Sequence, residues 1–258
     1  MADLRIFSYL PNPRIWKSII AARLNGVELD VRGDELMNLA NWLWDFDARP
    51  LSDVSDAEKQ AAEREARTGF AGKLYKTDAF LVANPLGTVP CAFSPDGKIG
   101  IFESNSIMRA VARLGDDRFP LYGSTPYEAA RIDGFLDISL VFARDSQIYL
   151  LANNRDQLTA DIHASAHTAF HAWMSGIEQG LVNNDHLVGE RISLADICFI
   201  CEFALFSRER ALAEKLDAQG LAVISDIRDY PRAQAHLDRL CKHPAFQPEL
   251  GNGFPALN

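Results

Sequence analysis

Residues 4–9, LRIFSY, form a short β-rich run that Pro11-Asn12-Pro13 brings to an end. RIWKSIIAARLNG then repeats apolar residues at helical spacing up to Gly26. Val27-Glu28-Leu29-Asp30-Val31 alternates apolar and charged positions, as a half-buried strand does. The opening is therefore β-α-β, a parallel pair joined by a crossover helix. From Arg32 to about Lys76 the pattern turns polar, and SDAEKQAAEREAR has strong helix propensity without an apolar face, which predicts an insertion or a solvated helix. Thr88–Phe93 and Ile99–Phe102 read as two strands of a hairpin, with Ser94-Pro95-Asp96-Gly97 as the turn. Glu103-Ser104-Asn105 caps a helix, SIMRAVARL, that closes near Gly115.

GDDRFPLYGSTP, residues 115–126, is rich in Gly, Pro and Asp, and no convincing strand pattern follows it. The expected organisation is an α/β domain over 1–114 with an insertion at about 32–76, a linker over 115–126, and an all-α domain over 127–258. Within the helical part, LVGERISLADI holds an S-x-x-D capping box at Ser193 and Asp196, with Ile192 and Ile197 placed as a hydrophobic staple. That motif is structural: it fixes the entry of a core helix.

At 258 residues the chain has room for two cores, and 48% apolar with 24% charged residues is the balance of an ordinary globular protein. A formal charge of -9, without a basic run interleaved with aromatics, disfavours nucleic acid. MADLRIFSYL is not a leader, no segment approaches the roughly 20 apolar residues of a membrane span, and a cytoplasmic location is expected. Cys91, Cys198, Cys201 and Cys241 are too sparse for a disulfide scaffold. Cys198 and Cys201 lie in the apolar run ADICFICEFALF, where their spacing puts both on one buried face. His163, His167 and His171 repeat every four residues with Asp161 nearby, but packed or solvated histidines are the commoner case, so no metal site is expected. Phe135, Ile138, Phe142, Tyr149 and Trp173 are candidates either for the core or for an apolar substrate pocket.

Four stretches in order, LVANPLGTVPCAF, GIFESNSIMRAVARL, LVGERISLADI and YPRAQAHLDRLCKHPAF, resemble the cytosolic glutathione transferases across almost the whole chain. The resemblance implies a thioredoxin-like N-terminal domain plus an all-α C-terminal domain, with glutathione as co-substrate. It implies a cis Val89-Pro90 bond whose backbone takes the cysteinyl unit. It also implies that Glu103 takes the γ-glutamyl ammonium, while Ser104, through its hydroxyl and N–H, takes the α-carboxylate. A helix start suits that carboxylate, because unpaired N–H groups and a partial positive charge gather there; Ser104 as a plain cap is the alternative.

The family activates the thiol at the start of the first helix, usually with Tyr, Ser or Cys. Here the matching loop is Tyr9-Leu10-Pro11-Asn12-Pro13-Arg14, and it lacks both Ser and Cys. Asn12 is the candidate, similar to lineages of the family that use Asn, with Tyr9, Ser8 and Arg14 behind it. Asn followed by Pro is also an ordinary helix start, and the amide can cap with its oxygen while donating with its nitrogen. The 32–76 segment, with Trp42, Trp44 and Phe46, departs from the family; a related lengthening occurs in members that cleave β-aryl ethers of lignin fragments. The expected function is attack of glutathione thiolate on an apolar aromatic electrophile, by a homodimer or a heterodimer with a related subunit. FESNSI and LVGERISLADI also resemble elongation factor gamma subunits, which makes a non-catalytic binding or assembly module the alternative. Termination at GNGFPALN favours the enzyme.

Overall fold

The computed structural model describes residues 2–66, 70, 72–116 and 119–255. Asp117 and Arg118 of the expected linker, Arg67 of the expected polar helix, and Ala256–Asn258 at the end lie outside the described residues. The chain divides into two compact units, Met1–Asp116 and Asp117–Asn258.

The first unit opens with β1 (Leu4–Phe7), α1 (Pro13–Asn25) and β2 (Leu29–Arg32). Asn12 caps α1, Pro13 supplies its first position without an N–H to satisfy, and Gly26 ends it at φ 69°. β1 runs parallel to β2, pairing Leu4 with Leu29 and Phe7 with Arg32.

The next segment is not a solvated helix. It comprises β3 (Trp42–Trp44), β4 (Arg49–Pro50), α2 (Asp56–Ala62), β5 (Glu63–Glu65) and β6 (Lys73–Lys76), and its strands form a second four-stranded sheet in the order β4-β3-β6-β5. A Ser55/Glu58 capping box starts α2, but the helix ends after seven residues. From Glu63 the chain turns extended and pairs with β6. Helix propensity at Glu63-Arg64-Glu65 is worth only tenths of a kcal/mol per residue. The strand gains a ladder, the Lys73–Glu63 pair at 2.6 Å and the Arg64–Asp78 pair at 2.6 Å, and tertiary pairing wins.

After α3 (Asp78–Ala83) come β7 (Cys91–Phe93), β8 (Gly100–Phe102) and α4 (Ser104–Leu114). The first sheet has the order β2-β1-β7-β8, with Phe7 opposite Cys91 and Ile6 opposite Ala92. Side chains alternate across it. Ile6 and Ala92 are buried on one face, where α4 packs on β7 and α1 packs on α4. Phe7, Cys91 and Phe93 face the other way into a core with Leu39, Trp44, Ala48, Leu74 and Phe80. The second sheet thus covers the exposed face of the first. Trp44 is fully buried there, donating Nε1–H to the Leu39 carbonyl at 2.9 Å and meeting Phe7, Phe70 and Phe80 edge-on.

The second unit is helical: α5 (Pro126–Asn154), α6 (Ala160–Gly180), α7 (Leu194–Phe206), α8 (Ala213–Asp217), α9 (Pro231–Lys242) and α10 (Gln247–Leu250). Thr125 and Thr159 cap α5 and α6. α7 is buried at nearly every position, Cys198 and Cys201 included. Phe142 stacks on Trp173 at 4.3 Å and 9°, and Phe170 stacks on Phe206 at 5.2 Å. Phe142, Tyr149 and Trp173 are therefore core; Phe135 is half-buried and Ile138 exposed.

Candidate functional site

In the first unit the candidate residues lie on three structural features. The loop from Ser8 to Arg14 is held along its length: Ser8 N–H donates to Arg32 O at 3.1 Å and Leu10 N–H to Asp34 O at 2.8 Å. Gly33 makes this approach possible. It sits at φ 146°, and a Cβ there would stand 1.7 Å from the Ser8 carbonyl oxygen. At the end of the loop Asn12 is 0 % exposed. Its Oδ1 accepts from the Arg14 N–H at 3.0 Å, and its Nδ2 donates to Ser8 Oγ at 3.1 Å. Tyr9 and Arg14 are half-buried, and Tyr9 packs against the core beneath the second sheet.

The second feature is the entry to β7. The Val89–Pro90 bond is cis, as is Leu10–Pro11, and both Val89 and Pro90 are half-buried. The preceding turn is fixed by Asn84, whose Nδ2 donates to Thr88 O at 2.7 Å, and by Lys76, whose Nζ donates to Gly87 O at 2.6 Å. The Lys76 ammonium also lies over the Trp44 ring at 4.6 Å, so the second sheet tethers this turn. Cys91 follows directly, but burial pushes its thiol up to about 12. It is no nucleophile at neutral pH.

The third is the head of α4. Glu103 occupies φ 69°, ψ 126°, a conformation non-glycine residues rarely hold, and its side chain is exposed. Ser104 and Asn105, 5 % and 1 % exposed, open the helix. Lys17 of α1 reaches both: its Nζ lies 2.7 Å from Asn105 Oδ1 and 3.4 Å from Ser104 Oγ. Sequence reasoning missed Lys17. The available signal was phase, because Lys17 falls among Pro13, Ile20 and Ala21 on the face that α1 buries.

In the second unit, Ser193 and Asp196 form the capping box. Buried Asp196 accepts from Ser193 N–H at 2.8 Å, Ser193 Oγ at 2.8 Å, Leu187 N–H at 2.9 Å and His236 Nε2 at 2.7 Å. Burial alone would push its carboxyl up; the His236 bond, with those from Leu187 and Ser193, outweighs this and holds it below the usual value. His186 Nδ1 stands 4.0 Å away, giving a His-Asp-His cluster of metal-ligand type. Arg239 Nη2 donates to His236 Nδ1 at 3.1 Å, which places the ring hydrogen on Nε2, facing Asp196. A metal would need that nitrogen bare, so the cluster is a hydrogen-bonded clamp. On α6, His163 Nε2 meets Ala222 O at 2.8 Å, while His171 joins Tyr230 OH through Nδ1 and His167 Nε2 at 3.0 Å.

Residues 164–244 match the glutathione S-transferase C-terminal domain. The structure aligns with glutathione transferase E6 from Drosophila melanogaster at a TM-score of 0.65 and 17% identity, over 97% of this chain and 92% of that one. The fold is that of the glutathione transferases. It is similar also to the glutathione transferase URE2P6 from Phanerochaete chrysosporium, a structure in complex with oxidized glutathione, at a TM-score of 0.63 and 13% identity over 96% and 94% of the two chains. In sequence, the chain is 29% identical over 204 residues to probable elongation factor 1-gamma 1 of Arabidopsis thaliana, covering 78% of this chain. It spans 40% of that relative's length. Among the described residues, no helix is long and apolar enough to cross a membrane.

Proposed function

We propose that this glutathione-transferase-fold chain binds glutathione in its first unit and activates the thiol for attack on an aromatic electrophile. The observation that carries the reading is the head of α4. Ser104 stands at the helix start with an N–H that has no partner within the helix, and Glu103 is turned out beside it by its positive φ. Ser104 takes the γ-glutamyl carboxylate, Glu103 the ammonium, and the Val89 backbone the cysteinyl unit. A free thiol has a pKa near 8.5, so lowering it by about two units takes about 2.7 kcal/mol of preferential stabilisation of the anion. The N–H groups at the start of α1 and the second amide hydrogen of Asn12 supply that stabilisation.

One observation favours a second reading, a binding or assembly module without turnover: Asn12 is sealed from solvent and already donates to Ser8. Similarity to elongation factor 1-gamma points the same way. The experiment is retention on immobilised glutathione followed by assay against a model aryl halide and a β-aryl ether of the lignin type. Turnover establishes the transferase and identifies which electrophile it takes. Retention without turnover establishes a glutathione-binding module, and no retention removes the transferase and leaves assembly as the role. We further infer pairing with an identical or related subunit, because α5 leaves Ile138 and Val141 49 % and 59 % exposed; sedimentation velocity tests it.

A further inference from the structure

A lysine ammonium is almost never found fully buried without a task or a partner, since burial strips its hydration. Lys17 is 0 % exposed, and its Nζ stands within reach of two oxygens of α4, Asn105 Oδ1 at 2.7 Å and Ser104 Oγ at 3.4 Å. An ammonium has three donors and no acceptor, so at each contact the α4 side chain must accept. This fixes the polarity of both partners. Asn105 turns its oxygen toward Lys17 and its NH₂ away. Ser104 gives Lys17 a lone pair, which leaves its hydroxyl hydrogen to point elsewhere.

We propose that Lys17 is a positioning residue for the anionic end of the ligand. It sets Ser104 as a hydrogen-bond donor and places a buried positive charge behind the head of α4, where the γ-glutamyl α-carboxylate arrives. The inference rests on the reading that this head binds that end of glutathione. Its effect adds to the helix dipole, which alone offers about half a charge at the same place. The site therefore discriminates by the carboxylate, not by the peptide as a whole.

The test compares glutathione with 4-aminobutyryl-cysteinylglycine, which lacks only that carboxylate, by calorimetry on the full chain and on Lys17→Gln. The expected result is a loss of about 10- to 100-fold in glutathione affinity, the scale of one charge-assisted contact, with the analogue's affinity unchanged. Lys17→Arg, which restores the charge, recovers part of the loss. An equal loss for both ligands would make Lys17 a packing residue, and that or an unchanged glutathione affinity overturns the inference while leaving the glutathione reading intact. No glutathione binding by the unmodified chain removes both together. Should Lys17→Gln fail to fold, NMR of the unmodified chain with ¹³C-labelled lysine decides, using Lys17→Arg for assignment. The Lys17 ε-carbon resonance should move with glutathione and stay with the analogue, and equal movement or none overturns the inference.

Discussion

Asn12 and Ser8 are joined by a hydrogen bond of 3.1 Å between two side chains that are both fully buried. The same amide caps α1 through Arg14, so one residue ties the end of β1 to the start of the helix. Asn12→Ala should cost about 0.5–2 kcal/mol by chemical denaturation, the range for a lost cap. Asn12→Asp keeps the capping oxygen but replaces the NH₂ donor with negative charge. If the amide stabilises the thiolate, Asp should preserve most of the stability while raising the pKa of bound glutathione, read from thiolate absorbance against pH. An unmoved titration in both variants would assign Asn12 to the cap alone.

The second sheet is a cover for the first, and the prediction is that it cannot be removed. Trp44→Ala should destabilise the chain by about 3–5 kcal/mol, the usual cost of deleting a buried aromatic. Deleting residues 34–76 would leave Phe7, Cys91 and Phe93 facing water, and should yield no cooperative thermal transition for the first unit. A folded deletion variant that still binds glutathione would show the segment to be an accessory lid.

Acid stability should fall in two stages. Burial, only partly opposed by Asp196, depresses the pKa of His186, so its contribution is complete above about pH 6.5 and is lost as pH falls from there through the folded value. Asp196 is also depressed, and its contribution is present above its unfolded pKa, 3.8, and lost as pH falls below it. Asp196→Asn should cost about 3 kcal/mol or more at neutral pH and shrink the lower stage without removing it, because hydrogen bonds also hold Asp96 and Asp226 below the usual value. Urea denaturation midpoints measured from pH 3 to pH 8 test both.

Three of the four thiols should be inert to thiol reagents while the protein is folded, and the half-buried Cys241 should react slowly. Burial raises the Cys91 and Cys241 thiols, and Cys198 and Cys201 are buried on α7. An aromatic disulfide reagent at pH 8 should label Cys241 slowly and Cys91, Cys198 and Cys201 only after denaturation. Rapid reaction of any one in the folded state contradicts this.

Elements built from local signals were legible in the sequence. α1 has its Asn-Pro start and its Gly stop; the β7–β8 hairpin has its turn; the α7 capping box and the apolar run behind it are unambiguous. The second sheet was not legible, because β3 and β6 are only three and four residues long and pair Leu43 with Tyr75 across a wide gap in sequence. No local period records such a pairing, and the helical propensity of Glu63-Arg64-Glu65 points the other way. At the candidate site, the sequence offered the positions Asn12, Val89-Pro90 and Glu103-Ser104. It could not give the direction of their polar atoms. That Asn12 donates inward to Ser8 depends on how the chain passes from β1 into α1, and that Lys17 stands behind Ser104 depends on how α1 lies against α4.

Lys76 touches both the turn before Val89-Pro90, through Gly87 O, and the face of Trp44. The indole is thereby an optical probe installed by the fold itself. A charge resting on its ring responds when the turn shifts, and the emission of Trp44 shifts with it. In a variant that keeps Trp44 as its one fluorophore among the four tryptophans, the proposed arrival of glutathione should be readable as a change in emission.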